Sequence, residues 1–180
     1  AASPEALPDS KSLGLHAREM LEDLEALTVA KTTSPFNAPA LIDPSVASSL
    51  VLAMGLRLTG EEQRNPAGPQ IFKDKLGKPI LPETISLIDD PTLTHHKGVG
   101  LAGHYLFDDQ AVPAAPVTLI KKGVLKGFLL SRYPVVGFSR SNGHARSALG
   151  LPPIAMPGVL SLRADKTSSE AALLAMLRRA

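Results

Sequence analysis

Cysteine and tryptophan are both absent from the 180 residues, and aromatic residues make up only 4%. Without cysteine there is no disulfide framework, no thiolate zinc site and no cysteine nucleophile. The absence fits a cytoplasmic chain, which is the expectation here. Two tyrosines and five phenylalanines cannot supply stacking platforms along a basic stripe. Charge is nearly balanced as well, with 19 Lys and Arg against 17 Asp and Glu. Nucleic acid is therefore not an expected partner. Long hydrophobic runs are also missing. The longest uncharged apolar stretch, Pro44 to Leu56, is shorter than the ~20 residues a bilayer-crossing helix needs, so no membrane partner is expected. The first residues, Ala1-Ala2-Ser3-Pro4-Glu5, lack a basic segment followed by an apolar one and do not read as a signal peptide. The chain does not begin with Met, and we expect a processed chain or an excised piece of a longer one.

What is present is globular in composition: 44% hydrophobic and 20% charged residues. The length is that of about one domain. Residues 1–11, with Pro4, Pro8, Asp9 and Ser10, read as a flexible arm, and residues 12–180 as a single domain. Ser12 to Ala30 carries apolar residues at helical spacing, with Glu19, Glu22, Asp23 and Glu25 between them. Ala38 to Ile42 suggests a short edge strand. Asp43-Pro44 is a helix start, with Asp as cap and Pro at the first position. That helix is expected to stop at Gly60, and its apolar residues on all sides predict burial in the core. From Ile80 on, the pattern is strand and turn: Thr84–Ile88, His104–Phe107, and a hairpin of Pro116–Lys121 and Val124–Leu130 around Lys122-Gly123. Ser139–Pro157 reads as loop, Val159–Leu162 as a last strand, and Thr167-Ser168-Ser169-Glu170 as a capping box before a terminal helix. Grouped strands predict an α+β fold, mostly antiparallel sheet, with a buried central helix and flanking helices.

The chemistry-bearing motifs are incomplete. Gly98-Val99-Gly100-Leu101-Ala102-Gly103 has dinucleotide-binding spacing, but His95-His96-Lys97 precedes it and strand-like residues follow, so a flexible loop is expected. No helical histidine pair at metal-ligand spacing exists among His16, His95, His96, His104 and His144. His104 and Asp108 would share a strand face and, with Asp109 and the His95-His96 pair, make the beginnings of an oxygen and nitrogen ligand set. A nucleophile elbow is absent, because Gly137-Phe138-Ser139-Arg140-Ser141 lacks its second glycine. Ser141-Asn142-Gly143-His144-Ala145-Arg146 offers a positive-φ turn with His and Arg donors suited to a peptide carboxylate or carbonyl.

Several of these segments together resemble the TldD/PmbA family, the modulator of DNA gyrase proteins, which include zinc-dependent peptidases. The first is Gly55–Arg64. The second is Phe107-Asp108-Asp109-Gln110-Ala111-Val112-Pro113 with the hairpin strands that follow. The third is Ser141–Arg146. Their order matches from about Phe36 to Leu162, as in the central part of a longer member. The resemblance implies H-E-x-x-x-H on the second helix, with zinc ligands and a general base. Here those positions are Val51, Leu52 and Leu56, so no catalytic residue and no metal are expected there. The family's third ligand, a cysteine, has no counterpart. The resemblance thus implies a metallopeptidase-related pseudoenzyme, a structural or peptide-handling subunit in cytosolic peptide maturation or proteolysis. Its partners would be a peptide or protein substrate and a second family member, in a homo- or heterodimer. Asp108, Asp109, Asn142, Gly143, His144 and Arg146 are the peptide-binding candidates. The alternatives are an active metal-dependent hydrolase or peptidase using a non-family site built on His104, Asp108, Asp109 and His144, and a DNA gyrase modulator.

Overall fold

The computed structural model describes residues 7–179, so residues 1–6 of the expected arm lie outside the described residues. The first helix begins earlier than expected. Asp9 caps it, its Oδ1 accepting the Ser12 N–H at 2.7 Å, and α1 runs Ser10–Thr28. Ala38–Ile42 forms no strand, because it is exposed along its length and pairs with no neighbour. Helix α2 (Pro44–Arg57) starts where expected, with Asp43 accepting the Ser45 N–H at 2.8 Å.

Gly60 does not stop that helix. Leu58 closes it by donating to Met54 and Gly55 carbonyls, and Thr59 then caps α3 (Gly60–Arg64). Gly60 donates to the Leu129 carbonyl at 2.8 Å. A Cβ at this position would lie 2.7 Å from both Leu130 Cδ2 and Val135 Cγ2, so packing is what requires glycine.

The strands are β1 (Ile85–Asp89), β2 (His95–His96), β3 (Val99–Gly100), β4 (Val117–Lys121), β5 (Val124–Leu125), β6 (Ala145–Arg146), β7 (Ile154–Ala155) and β8 (Leu160–Ala164), followed by α4 (Glu170–Leu177). The main sheet has the order β5-β4-β1-β8, with every neighbouring pair antiparallel. The α+β class and the antiparallel sheet are therefore as the sequence predicts. The β4–β5 turn has positive φ at Lys122 (47°) and Gly123 (76°), the geometry that matches right-handed strand twist. A register shift in the β1–β4 ladder sets Leu87 against Ile120 and Ile88 against Thr118. The bulged residue is Leu119, and it and Ile120 are both fully buried although adjacent. They join Leu58, Leu87, Leu125, Phe128 and Leu129 in the core.

The burial expected of α2 is corrected by the structure. Only Gly55 is buried in it, while Leu50, Leu52 and Leu56 are 54%, 49% and 40% exposed. The helix meets β8 so closely at Gly55 that a Cβ there would be 2.5 Å from Leu160 Cδ1. A single sheet covers one stripe of a helix, and the remaining apolar faces of α2 are left open. His104–Phe107 forms no strand either. Tyr105 donates to Pro91 O and Asp108 to Val112 O, bonds of a compact loop rather than a ladder. Gly98, with Lys97, forms the tight positive-φ turn between β2 and β3. The terminal helix is capped by Ser169, not Thr167, and sets Leu173 and Leu177 beside Pro39 and Leu41. No helix among the described residues is long and apolar enough to cross a membrane.

The β4–β5 turn has little tolerance. Gly123 donates to Ile85 O and accepts from Ile80 and Leu81, and a Cβ would collide with Leu81 O. Gly123→Ala should destabilise the fold by about 1–3 kcal/mol, read from urea denaturation by circular dichroism.

Candidate functional site

Three irregular segments meet beside the sheet: the turn after Phe107, the Ser141–Arg146 loop, and Pro157–Val159 leading into β8. Irregular backbone lacks ladder partners, so its N–H groups need side-chain acceptors. Buried carboxylates supply them here. Asp108 is buried, its Oδ1 accepting from Gln110 N at 2.9 Å and Val112 N at 2.8 Å. Its Oδ2 accepts from Ala145 N at 3.1 Å and so joins the turn to β6. Asp109 faces outward, with Oδ1 3.0 Å from Arg146 Nη1 and Oδ2 accepting the Ser147 N–H at 2.6 Å.

Asn142 takes the place of a strand partner. Its Nδ2 donates to Phe128 O at 2.9 Å and its Oδ1 accepts from Leu130 N at 2.8 Å. Gly143 has φ 79°, and a Cβ there would collide with Pro113 O. Its carbonyl accepts the Tyr105 hydroxyl at 3.0 Å. Burial, and after it the Asp89 charge, push the Tyr105 phenol above its usual range, so it stays a donor. Arg146 lies over the same ring, 4.6 Å from its centre.

His144 is fully buried, and its Nδ1 lies 3.0 Å from Asn142 O and 3.1 Å from Asn142 Oδ1. Two acceptors there make Nδ1 the protonated nitrogen. Nε2 has no hydrogen-bond partner among the described residues and sits 3.9 Å from Asp89 Oδ1, beyond hydrogen-bond reach. Asp89 is also fully buried, accepting from Gly158 N at 2.9 Å and Val159 N at 2.7 Å. Burial holds His144 below the ordinary imidazole range and Asp89 above the ordinary carboxylate range. Both effects disfavour an ion pair.

The six peptide-binding candidates therefore converge, but most of their polar atoms are committed to holding loops. Asp109 and Arg146 remain partly exposed, and Asn142 is half-buried with its amide committed to Phe128 and Leu130. His104 is exposed and lies against Leu101 O, outside this cluster. Ser141 donates to Leu130 O at 3.0 Å and not to His144, so no Ser-His relay forms. Asp89, Tyr105 and Glu61 belong to the assembly without having been singled out. Glu61 Oε1 accepts the Ser131 hydroxyl and, at 3.1 Å, the Ala155 N–H. Asp89 followed by Asp90-Pro91 reads locally as a strand terminator, and nothing in the sequence marks it as buried.

A sequence model described as PmbA/TldA metallopeptidase C-terminal domain matches residues 35–180. The chain belongs to the PmbA/TldD family. A metalloprotease of Archaeoglobus fulgidus is 30% identical over 132 residues, covering 73% of this chain and 29% of that protein. A metalloprotease of Methanothermobacter thermautotrophicus is 38% identical over 88 residues, covering 48% of this chain and 18% of that protein. The crystal structure of TldE from Thermococcus kodakarensis matches with a TM-score of 0.56 at 24% identity, over 71% of this chain and 28% of that one. That last likeness is one of fold. The chain thus spans less than a third of the length of each of these relatives.

Zinc, implied by the PmbA/TldD resemblance, needs nitrogen, oxygen or sulfur donors. Val51, Leu52 and Leu56 carry none, and α2 runs through them as unbroken α-helix. These residues do not fit the metal. Among the described residues no group of three or more His, Asp or Glu is placed to hold a metal ion.

The buried carboxylates give two expectations. Asp108→Asn keeps the two bonds to Oδ1 but turns an amide N–H toward the Ala145 N–H, and should cost about 1–3 kcal/mol in denaturant melts. Asp109→Asn, partly exposed, should cost less. A group with a lowered imidazole pKa resists protonation in the folded state, so stability falls as pH drops below the unfolded value near 6.5. Asp89 works in the opposite sense, its contribution declining as pH rises from the unfolded value of 3.8 to its raised one. The melting temperature should therefore decrease as pH falls through about 6.5, and His144→Gln should flatten that slope in pH-dependent thermal scans.

Proposed function

We propose that this domain is a catalytically degenerate PmbA/TldD member that handles peptides without cleaving them, as a subunit in cytoplasmic peptide maturation or proteolysis. The observation that carries the reading is the donor-free set Val51, Leu52 and Leu56 on a regular helix, at the positions where the resemblance implies ligands and base. Beside the end of that helix lies an open groove of about 810 Å³, bounded by Leu56, Glu61, Tyr133, Ile154 and Met156. Its apolar walls and the short strand β7 on one side suit an extended peptide. The loop cluster of Asp108, Asn142, Gly143 and His144 then acts as scaffold, and Asp109 and Arg146 offer the polar contacts that remain.

The exposed apolar residues of α2, and of α1 at Leu13, Leu21 and Leu24, support assembly with a second family member, as a homo- or heterodimer. An active hydrolase on His104, Asp108, Asp109 and His144 draws no support from the geometry, since His144 is sealed in the interior and His104 stands apart.

Metal analysis after dialysis against excess zinc, with a peptidase assay on the same sample, tests the proposal. The expected result is less than stoichiometric zinc and no zinc-dependent cleavage, while labelled peptides still bind. Stoichiometric zinc accompanied by turnover would refute it. Sedimentation of the protein alone and with a metal-binding family member should show a dimer in at least one case; monomers in both would remove the partner claim.

A further inference from the structure

The loop from Ser131 to Ser141 is held at both ends, and within it Phe138 N donates to Val135 O at 3.0 Å. At its start, Ser131 donates to Glu61 Oε1, Arg132 N donates to Gln110 Oε1 at 2.7 Å, and Tyr133 N donates to Ser131 Oγ at 3.1 Å. Arg64 lies 5.5 Å from the centre of the Tyr133 ring and donates to Pro134 O at 3.0 Å. At its end, Ser141 donates to Leu130 O, and Phe138 packs edge-on against Phe128 with ring centres 5.8 Å apart. The loop borders a half-open pocket of about 470 Å³, within the volume range of small-ligand sites.

The lining is asymmetric in chemistry. Val112, Val135 and Phe138 form an apolar wall, while Arg132, Ser139 and Arg140 supply donors, and no Asp or Glu lines the pocket. Neither arginine forms an ion pair among the described residues. Guanidinium groups match a planar carboxylate in bidentate fashion and keep their charge at every accessible pH. An inorganic oxyanion would use the arginines and leave the wall bare. A carboxylate attached to an apolar side chain uses both.

We propose that this pocket binds the C-terminal residue of a peptide, its carboxylate held by Arg132 and Arg140 and its apolar side chain laid on Val135 and Phe138. The inference rests on the peptide-handling reading and names its substrate class: peptides with a free, apolar C-terminus. Tyr133 lines both this pocket and the groove bordered by Leu56 and Ile154, which places the two side by side for one peptide.

The test is fluorescence anisotropy with an N-terminally labelled peptide of alanines ending in leucine, as free acid and as C-terminal amide. The free acid should bind at least about tenfold more tightly, and the Arg132→Gln, Arg140→Gln double variant should erase that difference while leaving amide binding unchanged. Acetyl-leucine should displace the free acid at concentrations where inorganic phosphate does not. Equal binding of acid and amide to the unmodified protein would overturn the pocket assignment and leave peptide handling intact. Absence of binding by either peptide would overturn both. Displacement by phosphate at the same concentration as acetyl-leucine would make the pocket a general anion site and overturn the C-terminal assignment. Because acid and amide are compared on the unmodified protein, the result does not depend on the variant folding.

Discussion

Both oxygens of the Asp89 carboxylate are used inside the protein, where no solvent reaches them, to hold the N–H groups of Gly158 and Val159. Asp89 ends β1, the strand that lies between β4 and β8 in the main sheet. Gly158 and Val159 belong to the segment that turns into β8. The carboxylate therefore sets where the last strand begins to pair with β1, and β8 in turn supplies Leu160, the side chain that meets α2 at Gly55. Gly158 is also wedged against Pro91 and the Tyr105 ring, and a Cβ at Gly103 would collide with its carbonyl. Those two N–H contacts thus lie where the start of β8, the helix seat and the Tyr105 loop meet. A buried charge or dipole is tolerated there because each of its oxygens has a donor.

The same device recurs around the cluster. Asp108 gathers three N–H groups, Asp109 one N–H and a guanidinium, Glu61 a hydroxyl and one N–H. Strands β6 and β7 are two residues each, so little of the nearby backbone is satisfied by ladders. Where ladders are short, side-chain acceptors near the loops do the work of holding them. This accounts for carboxylates and a histidine that look catalytic in sequence yet hold the fold, and it leaves the unpartnered donors of Arg132 and Arg140 as the more open chemistry.

The helix on which the resemblance implies metal ligands presents an apolar surface. Its covered side is narrow, ending at Gly55 against Leu160, and its other sides remain exposed. In a chain that spans 29% of one relative and 18% of another, such a face is consistent with the proposed role in assembly. Aliphatic side chains at Val51, Leu52 and Leu56, where the resemblance implies ligands, carry no donor atoms and add hydrophobic contact area.

Local features were legible from sequence because they are decided within a few residues. Asp43-Pro44 had to start a helix, Lys122-Gly123 had to turn a hairpin, and the absence of donors at Val51, Leu52 and Leu56 needs no structure to read. The grouped strands fixed the α+β class through the same short-range periodicity. What the chain did with His104–Phe107, Gly60 and α2 was decided elsewhere. A strand-like run becomes a strand only if an edge is available to pair with it, a glycine is a stop or a contact depending on what approaches it, and an apolar helix is buried only as far as a partner covers it. The hydrogen bond of Asp89 to Gly158 and its burial beside His144, separated by 69 and 55 positions, have no local signature at all, because burial and proximity are properties of the packed chain.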